Sequence, residues 1–248
     1  MKRKLVVGNW KMNGMTASLR EIQKLGTAHP APTVDILVCP PATLIATAAG
    51  LMAKSAIEIG AQDCHSAGSG AFTGDISAAM LSDIGAKAVI VGHSERREYH
   101  KESSALVSEK ARSAHAAGLI AVICLGETEA ERAAGQTLAI IADQLDASLP
   151  AGTTGDNTVI AYEPVWAIGS GLTPDRTQIA EVHDFLRDRL GERIGTSGAQ
   201  AIRLLYGGSV KATNAAAIFA ISNVDGALVG GASLLEKDFT PIIKALMD

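Results

Sequence analysis

The chain has 248 residues, 47% of them hydrophobic and 19% charged, with a formal net charge of −4: an ordinary globular balance, in a chain long enough for one large domain. The slight negative charge and an aromatic content of only 4% argue against nucleic-acid binding, which draws on a basic face or stacking rings. No apolar run nears the roughly 20 residues that cross a bilayer, and the LVV after the MKRK start is too short for the apolar stretch of a signal peptide.

Short apolar runs recur along the chain: KLVVGN (4–9), DILVC (35–39), IEIGA (57–61), AVIV (88–91), IAVIC (120–124), TVIAY (158–162), IRLLY (202–206) and GALVG (226–230). Each is rich in Val, Ile and Leu and continuous rather than alternating, as expected of strands covered on both faces. Alanine-rich segments with helical spacing lie between them. One runs over 103–116 and stops before Gly118, and others cover 138–149 and 214–219. Thr173-Pro174-Asp175 reads as a helix start, with Thr as N-cap, Pro at the first helical position and an acid in the first turn. Eight strand-plus-helix units in about 250 residues predict one (β/α)₈ barrel over residues 1–248. A doubly wound open sheet is the structural rival, but its GxGxxG fingerprint would follow the first strand, where this chain reads GNWKMNG.

The cysteines Cys39, Cys64 and Cys124 are odd in number and lack a CxxC pair. They read as small buried apolar residues in a reducing compartment. The six histidines show no metal-ligand spacing, and His100 and His115 read as exposed helix positions.

Barrel enzymes draw their sites from the loops after the strand C-termini. Asn9 and Lys11 follow the first run, His93 and Glu95 the fourth, and Glu163 the sixth. Taken singly, a lysine at a strand end is ordinarily solvated, and a histidine in GHS is ordinarily a packing residue. Glu95, followed by Arg96 and Arg97, most economically forms a structural ion-pair cluster with them. Glu163 is different, because a carboxylate trailing a buried strand needs a cationic partner or a chemical role. The glycine turns after the seventh and eighth runs, Gly207-Gly208-Ser209 and Gly230-Gly231, stand where barrels often hold phosphate on backbone N–H groups. The implied ligand is a small phosphorylated molecule.

Together GNWKMNG, SGAFTGDIS, VGHSERR, AYEPVWAIGSG, YGGSV and GALVGGASL closely resemble the triosephosphate isomerase family over essentially the whole chain. The resemblance implies a single-domain α/β (β/α)₈ TIM barrel and an isomerase of glycolysis and gluconeogenesis. Such an enzyme interconverts dihydroxyacetone phosphate and D-glyceraldehyde 3-phosphate through an enediolate, with no cofactor and no metal. It implies Glu163 as the base, His93 as a neutral electrophile, Lys11 as the cation facing the developing oxyanion, and Asn9 as a nearby donor. Gly169, Ser209, Gly230 and Gly231 match the phosphate-gripping positions, and Glu95 a residue close to Lys11. Pro164, Val165, Trp166, Ala167, Ile168, Gly169, Ser170, Gly171, Leu172 and Thr173 match a mobile lid. Ser170 and Leu172 replace the threonine and lysine that many members carry there. The loop ending SGAFTG, with its small polar stretch Ser66 to Gly68, matches one that inserts into a second subunit and brings Thr73 towards the partner's site. A cytoplasmic homodimer is implied, with neither nucleic acid nor membrane as a partner. Other phosphate-binding barrels, such as sugar-phosphate epimerases or indole-forming synthases, should lack NWK, HSE and YEPVW together. A catalytically silent barrel should have lost Glu163, His93 or Lys11.

Overall fold

The eight apolar runs form eight strands in a computed structural model that describes residues 2–168 and 174–247. They are β1 (Leu5–Asn9), β2 (Asp35–Cys39), β3 (Ile57–Ala61), β4 (Ala88–Val91), β5 (Ile120–Leu125), β6 (Thr158–Tyr162), β7 (Arg203–Tyr206) and β8 (Gly226–Val229). All neighbours are parallel, and β8 returns to β1 to close the barrel. Around it lie α1 (Leu19–Ala28), α2 (Ala42–Met52), α3 (Ala78–Asp83), α4 (Ser94–Tyr99), α5 (Ser104–Ala116), α6 (Glu129–Ala133), α7 (Thr137–Ser148), α8 (Arg176–Ile194), α9 (Thr196–Ala201), α10 (Ala215–Phe219) and α11 (Glu236–Met247).

The continuous apolar character of the strands has a direct cause. Successive side chains point to opposite faces, and here both faces are covered. Leu5, Val7, Leu37, Ile90, Val122, Val159, Ala161, Leu205 and Leu228 pack together inside the barrel. Val6, Ile36, Val38, Val89, Ile123, Ile160, Leu204 and Val229 face the helices and join the larger outer core. The cysteines fill space in these layers, and all three are buried.

The opposite, N-terminal face is tied by ion pairs. Asp225 receives Lys2 and Arg187, each at 2.8 Å, and Asp35 receives Arg3 at 2.6 Å and Arg203 at 2.9 Å. Such contacts stabilise the base of the barrel, away from the loops that carry chemistry.

Two local expectations are corrected. The helix expected at Thr173-Pro174-Asp175 starts at Arg176, and Asp175 is its N-cap. The Asp175 side chain accepts from the Gln178 N–H at 2.8 Å, while the Gln178 side chain accepts from the Asp175 N–H at 3.0 Å. This reciprocal box satisfies two amides at once, so Pro174 stands ahead of the cap rather than inside the helix. Thr173 lies outside the described residues. His115 is half-buried rather than exposed, because its ring meets the Thr158 hydroxyl at 3.1 Å across the α5–β6 gap.

Leu205 is fully buried at the centre of the barrel interior. Leu205→Ala is expected to lower unfolding free energy by about 2–5 kcal/mol, read as an earlier midpoint in urea denaturation.

Candidate active site

The inward-facing set of each strand continues to the strand end and just past it. Two positions beyond Val7 comes Asn9, and two beyond Ala161 comes Glu163. In the same parity Gly207 follows Leu205 and Gly230 follows Leu228. The ladder itself extends to hold two of them, since Glu163 N–H donates to Leu125 O at 2.7 Å and Gly207 N–H to Tyr162 O at 2.7 Å. The adjacent ends of β7 and β8 thus present bare glycine backbone at the mouth, flanked by Glu163 after β6 and Asn9 on β1. Gly207 has to be bare: a Cβ there would lie 2.9 Å from Glu163 Cγ.

Glu163 is 1% exposed. Its Oε1 meets His93 Nε2 at 2.9 Å, and its Oε2 accepts from the Ser94 N–H at 3.0 Å. His93 is the N-cap of α4, and its Nδ1 accepts from the Glu95 N–H at 3.2 Å. That bond occupies the Nδ1 lone pair, so the network assigns the imidazole proton to Nε2, facing the carboxylate. A second proton on Nδ1 would have to displace an amide at a helix N-terminus. Burial penalises the charged form of each partner, but their mutual contact outweighs it. Glu163 is held below the usual carboxylate range and His93 above the usual imidazole range.

Lys11 is pinned at both ends. Its backbone adopts a left-handed φ of 52°, its N–H donates to Asn9 Oδ1 at 3.0 Å, and its carbonyl accepts from Gln62 Nε2 at 2.9 Å. Its ammonium pairs with Glu95. This corrects the expected Glu95 cluster with the two arginines beside it. Those side chains leave α4 in other directions, Arg96 to Asp63 and Glu102 and Arg97 to Gly92 O and Cys124 O. A Cβ on Gly230 would lie 3.5 Å from Lys11 Cε, which places the eighth-strand turn directly over the lysine stem. A cleft of ≈ 410 Å³ opens beside Asn9, Lys11, Gln62, His93 and Glu95.

The glycine turns offer free donors. Among the described residues, the backbone N–H groups of Ser209 and Gly230 reach no protein acceptor, while Asn214 fixes the turn by donating to Ser209 O at 3.0 Å. Gly231 starts a 3₁₀ turn through Ser233, whose carbonyl accepts from Trp10 Nε1 at 3.0 Å.

After Glu163, Pro164 leads into a 3₁₀ turn at Val165–Ala167. Trp166 Nε1 donates to Glu127 Oε1 at 3.1 Å, Tyr162 Oη donates to the same oxygen at 3.0 Å, and the Arg132 guanidinium lies 5.3 Å over the Trp166 ring. Ala167 is buried and Ile168 half-buried. Gly169, Ser170, Gly171, Leu172 and Thr173 lie outside the described residues. Thr73 is exposed, as are most residues of its loop. Among the described residues, no group of three His, Cys, Asp or Glu side chains is placed to hold a metal ion.

Sequence reading missed Gln62, Ser94, Glu127 and Arg97. Gln62 and Ser94 each stand close behind a recognised strand end, so position alone could have found them. The contacts of Glu127 and Arg97 exist only once the fold has formed.

These features define a class: a parallel (β/α)₈ barrel with a carboxylate–imidazole pair, a lysine and anion-ready glycine turns at its C-terminal mouth. Within that class, the chain belongs to the triosephosphate isomerase family. The family model described as triosephosphate isomerase matches residues 4–246. The triosephosphate isomerase of Ruegeria pomeroyi is 61% identical over 246 residues, covering 99% of this chain and 98% of the relative. That of Dinoroseobacter shibae is 57% identical over 246 residues, covering 99% and 100%. The crystal structure of triosephosphate isomerase from Bartonella henselae superposes with a TM-score of 0.94 at 43% identity, covering 99% of this chain and 100% of that one.

The Glu163–His93 contact sets a pH dependence. A carboxyl held below its ordinary value of about 4.3 adds stability above that pH and loses it as pH falls through the folded value. Glu163→Gln removes this contribution. The difference in urea midpoint between wild type and Glu163→Gln is therefore expected to shift against the wild type as pH falls below about 4.3.

Proposed function

We infer that the chain, as one (β/α)₈ domain, interconverts dihydroxyacetone phosphate and D-glyceraldehyde 3-phosphate through an enediolate. The observation that carries this reading is the buried Glu163 carboxylate 2.9 Å from His93 Nε2, with Lys11 beside them.

In this reading Glu163 removes the proton from the carbon beside the carbonyl. Both of its oxygens are engaged in the structure, so it exchanges its His93 contact for the substrate's C–H bond. That exchange frees the His93 Nε2–H to donate to the carbonyl oxygen. A carbon acid beside a carbonyl is weak, so base strength alone gives little rate, and the oxyanion must meet fixed dipoles as it forms. His93 Nε2–H, the Lys11 ammonium and the Asn9 side chain supply them. The phosphate sits on backbone N–H groups of Gly169, Ser209, Gly230 and Gly231. Because it is remote from the reacting carbons, its binding energy is available to close the segment from Pro164 to Thr173 over the site. Closure excludes water and protects the enediolate. The Trp166–Glu127 contact supports the start of that segment as the anchored end from which it moves.

A cytoplasmic homodimer belongs to the same reading. No helix among the described residues is long and apolar enough to cross a membrane. Met12 is 96% exposed, Met15 78% and Tyr99 71%. Phe72 stands out on the Thr73 loop, its ring tilted against His65 with centroids 4.0 Å apart. Exposed large apolar groups flanking an active-site cleft support burial against a second subunit, with Thr73 reaching towards the partner's site. Sedimentation at micromolar concentration is expected to give twice the chain mass, and a fully active monomer would remove the dimer from the account.

Shortening the base tests the chemistry. Glu163→Asp withdraws the carboxylate by about 1 Å, and turnover is expected to fall by about 10²-fold or more with KM changed far less. A coupled assay that found near-wild-type turnover would remove Glu163 as the base.

A further inference from the structure

Arg97 is a cation at the barrel mouth with no part in the isomerisation chemistry assigned to Glu163, His93, Lys11 and Asn9. Its guanidinium is partly buried and donates four hydrogen bonds, from Nε to Gly92 O at 2.8 Å, from Nη1 to Ser104 Oγ at 3.0 Å, and from Nη2 to Cys124 O and Ser148 Oγ, each at 3.1 Å. All four acceptors are neutral. Among the described residues no carboxylate lies within ion-pair distance of it, whereas the adjacent Arg96 meets both Asp63 and Glu102 at 2.8 Å. A guanidinium taken from water without a counter-ion is unusual, because desolvation is then offset by hydrogen bonds alone. Burial accordingly holds Arg97 below the usual guanidinium range.

What Arg97 bridges is specific. The last ladder pair between β4 and β5 is Val91 with Ile123, so Gly92 and Cys124 are the next pair along. Arg97 joins their carbonyls where the backbone ladder has ended. Gly92 precedes His93, while Cys124 precedes Leu125, whose carbonyl receives the Glu163 N–H. The planar guanidinium thus spans the two strand ends that set where the imidazole and the carboxylate stand. Gly92 is shaped to admit it: φ is +67°, and a Cβ there would lie 3.0 Å from Arg97 Nη2 and 2.7 Å from Val107.

We propose that Arg97 is a positioning residue for the isomerisation, clipping the ends of β4 and β5 so that His93 and Glu163 keep their spacing, and adding a positive charge without a direct carboxylate partner to the surroundings of Glu163. The inference rests on the proposed roles of Glu163 and His93. The charged and titratable groups that face Glu163 are His93 and Arg97 from the α4 region, Lys11 from the loop after β1 and Cys124 from β5, with Glu95 beside His93 and Glu102 acting on Arg97. Burial holds the Cys124 thiol up, so it brings no charge near neutral pH. Removing the Arg97 charge therefore makes ionised Glu163 harder to form.

Steady-state kinetics of Arg97→Lys and Arg97→Gln across pH test this, with wild type measured first. An inactive wild type contradicts the isomerase reading itself, whereas an active wild type with unaffected variants contradicts only the role of Arg97. Both variants are expected to keep KM within about twofold and lose about 10- to 100-fold in kcat, since a planar bridge is lost in each. Arg97→Gln is also expected to move the acid limb of kcat/KM to higher pH, which Arg97→Lys, still charged, leaves in place. Unchanged kcat in both variants, a loss confined to KM, or an unmoved acid limb in Arg97→Gln overturns the proposal. If circular dichroism shows either variant unfolded, Ser148→Ala serves instead, because it removes one guanidinium bond from the helix layer. A kcat lowered at least about twofold at constant KM supports the positioning role, and an unchanged kcat opposes it.

Discussion

The site depends on keeping one carboxylate charged where water cannot reach it. Glu163 is 1% exposed, and an ionised group so placed is unfavourable by several kcal/mol unless its oxygens are met. His93 Nε2 meets one oxygen and the Ser94 N–H the other. Both partners come from the start of α4, which makes that turn the counterpart of the carboxylate. The same turn supplies Glu95 to the Lys11 ammonium. A single short helix N-terminus therefore sets the ionisation of Glu163, the tautomer of the imidazole and the placement of the lysine.

The barrel makes this arrangement geometrically simple. Strand parity puts every second side chain inside, and the inner positions at mouth level are where Asn9, Glu163, Gly207 and Gly230 fall. Asn9 ends β1 and Glu163 follows β6, while glycines follow β7 and β8 between them, leaving bare backbone there. Gly207 illustrates the coupling between packing and function: the room its missing Cβ leaves is where the Glu163 stem packs. A glycine read from the sequence only as a phosphate-turn residue also shapes the seat of Glu163.

Much of this was legible in the sequence because the strands are short, continuous and apolar. The runs DILVC, IEIGA, AVIV, IAVIC, TVIAY and GALVG start at the residues where the strands start, and Asn9, Lys11, His93 and Glu163 each stand at or just past a strand end. Relations between distant side chains were not legible. Adjacency suggested that Glu95 pairs with Arg96 and Arg97, but helical turns send neighbours in different directions, and Lys11 is 84 positions away. His115 looked like a surface histidine until β6 brought Thr158 to it. Thr173-Pro174 matched a helix start by residue type, yet Asp175 formed the better cap because Gln178 stands three positions on. Glu127 carried no signal at all, since its role under Trp166 and Tyr162 exists only once β5 and β6 lie side by side.

The central claim is that Glu163 moves a proton between neighbouring carbons of a triose phosphate. The most direct measurement is a proton NMR time course of dihydroxyacetone phosphate with the purified protein in D₂O. The predicted result is glyceraldehyde 3-phosphate appearing with deuterium at the carbon next to its carbonyl, together with exchange into remaining substrate. Protein shown to be folded that gave neither exchange nor product would contradict it.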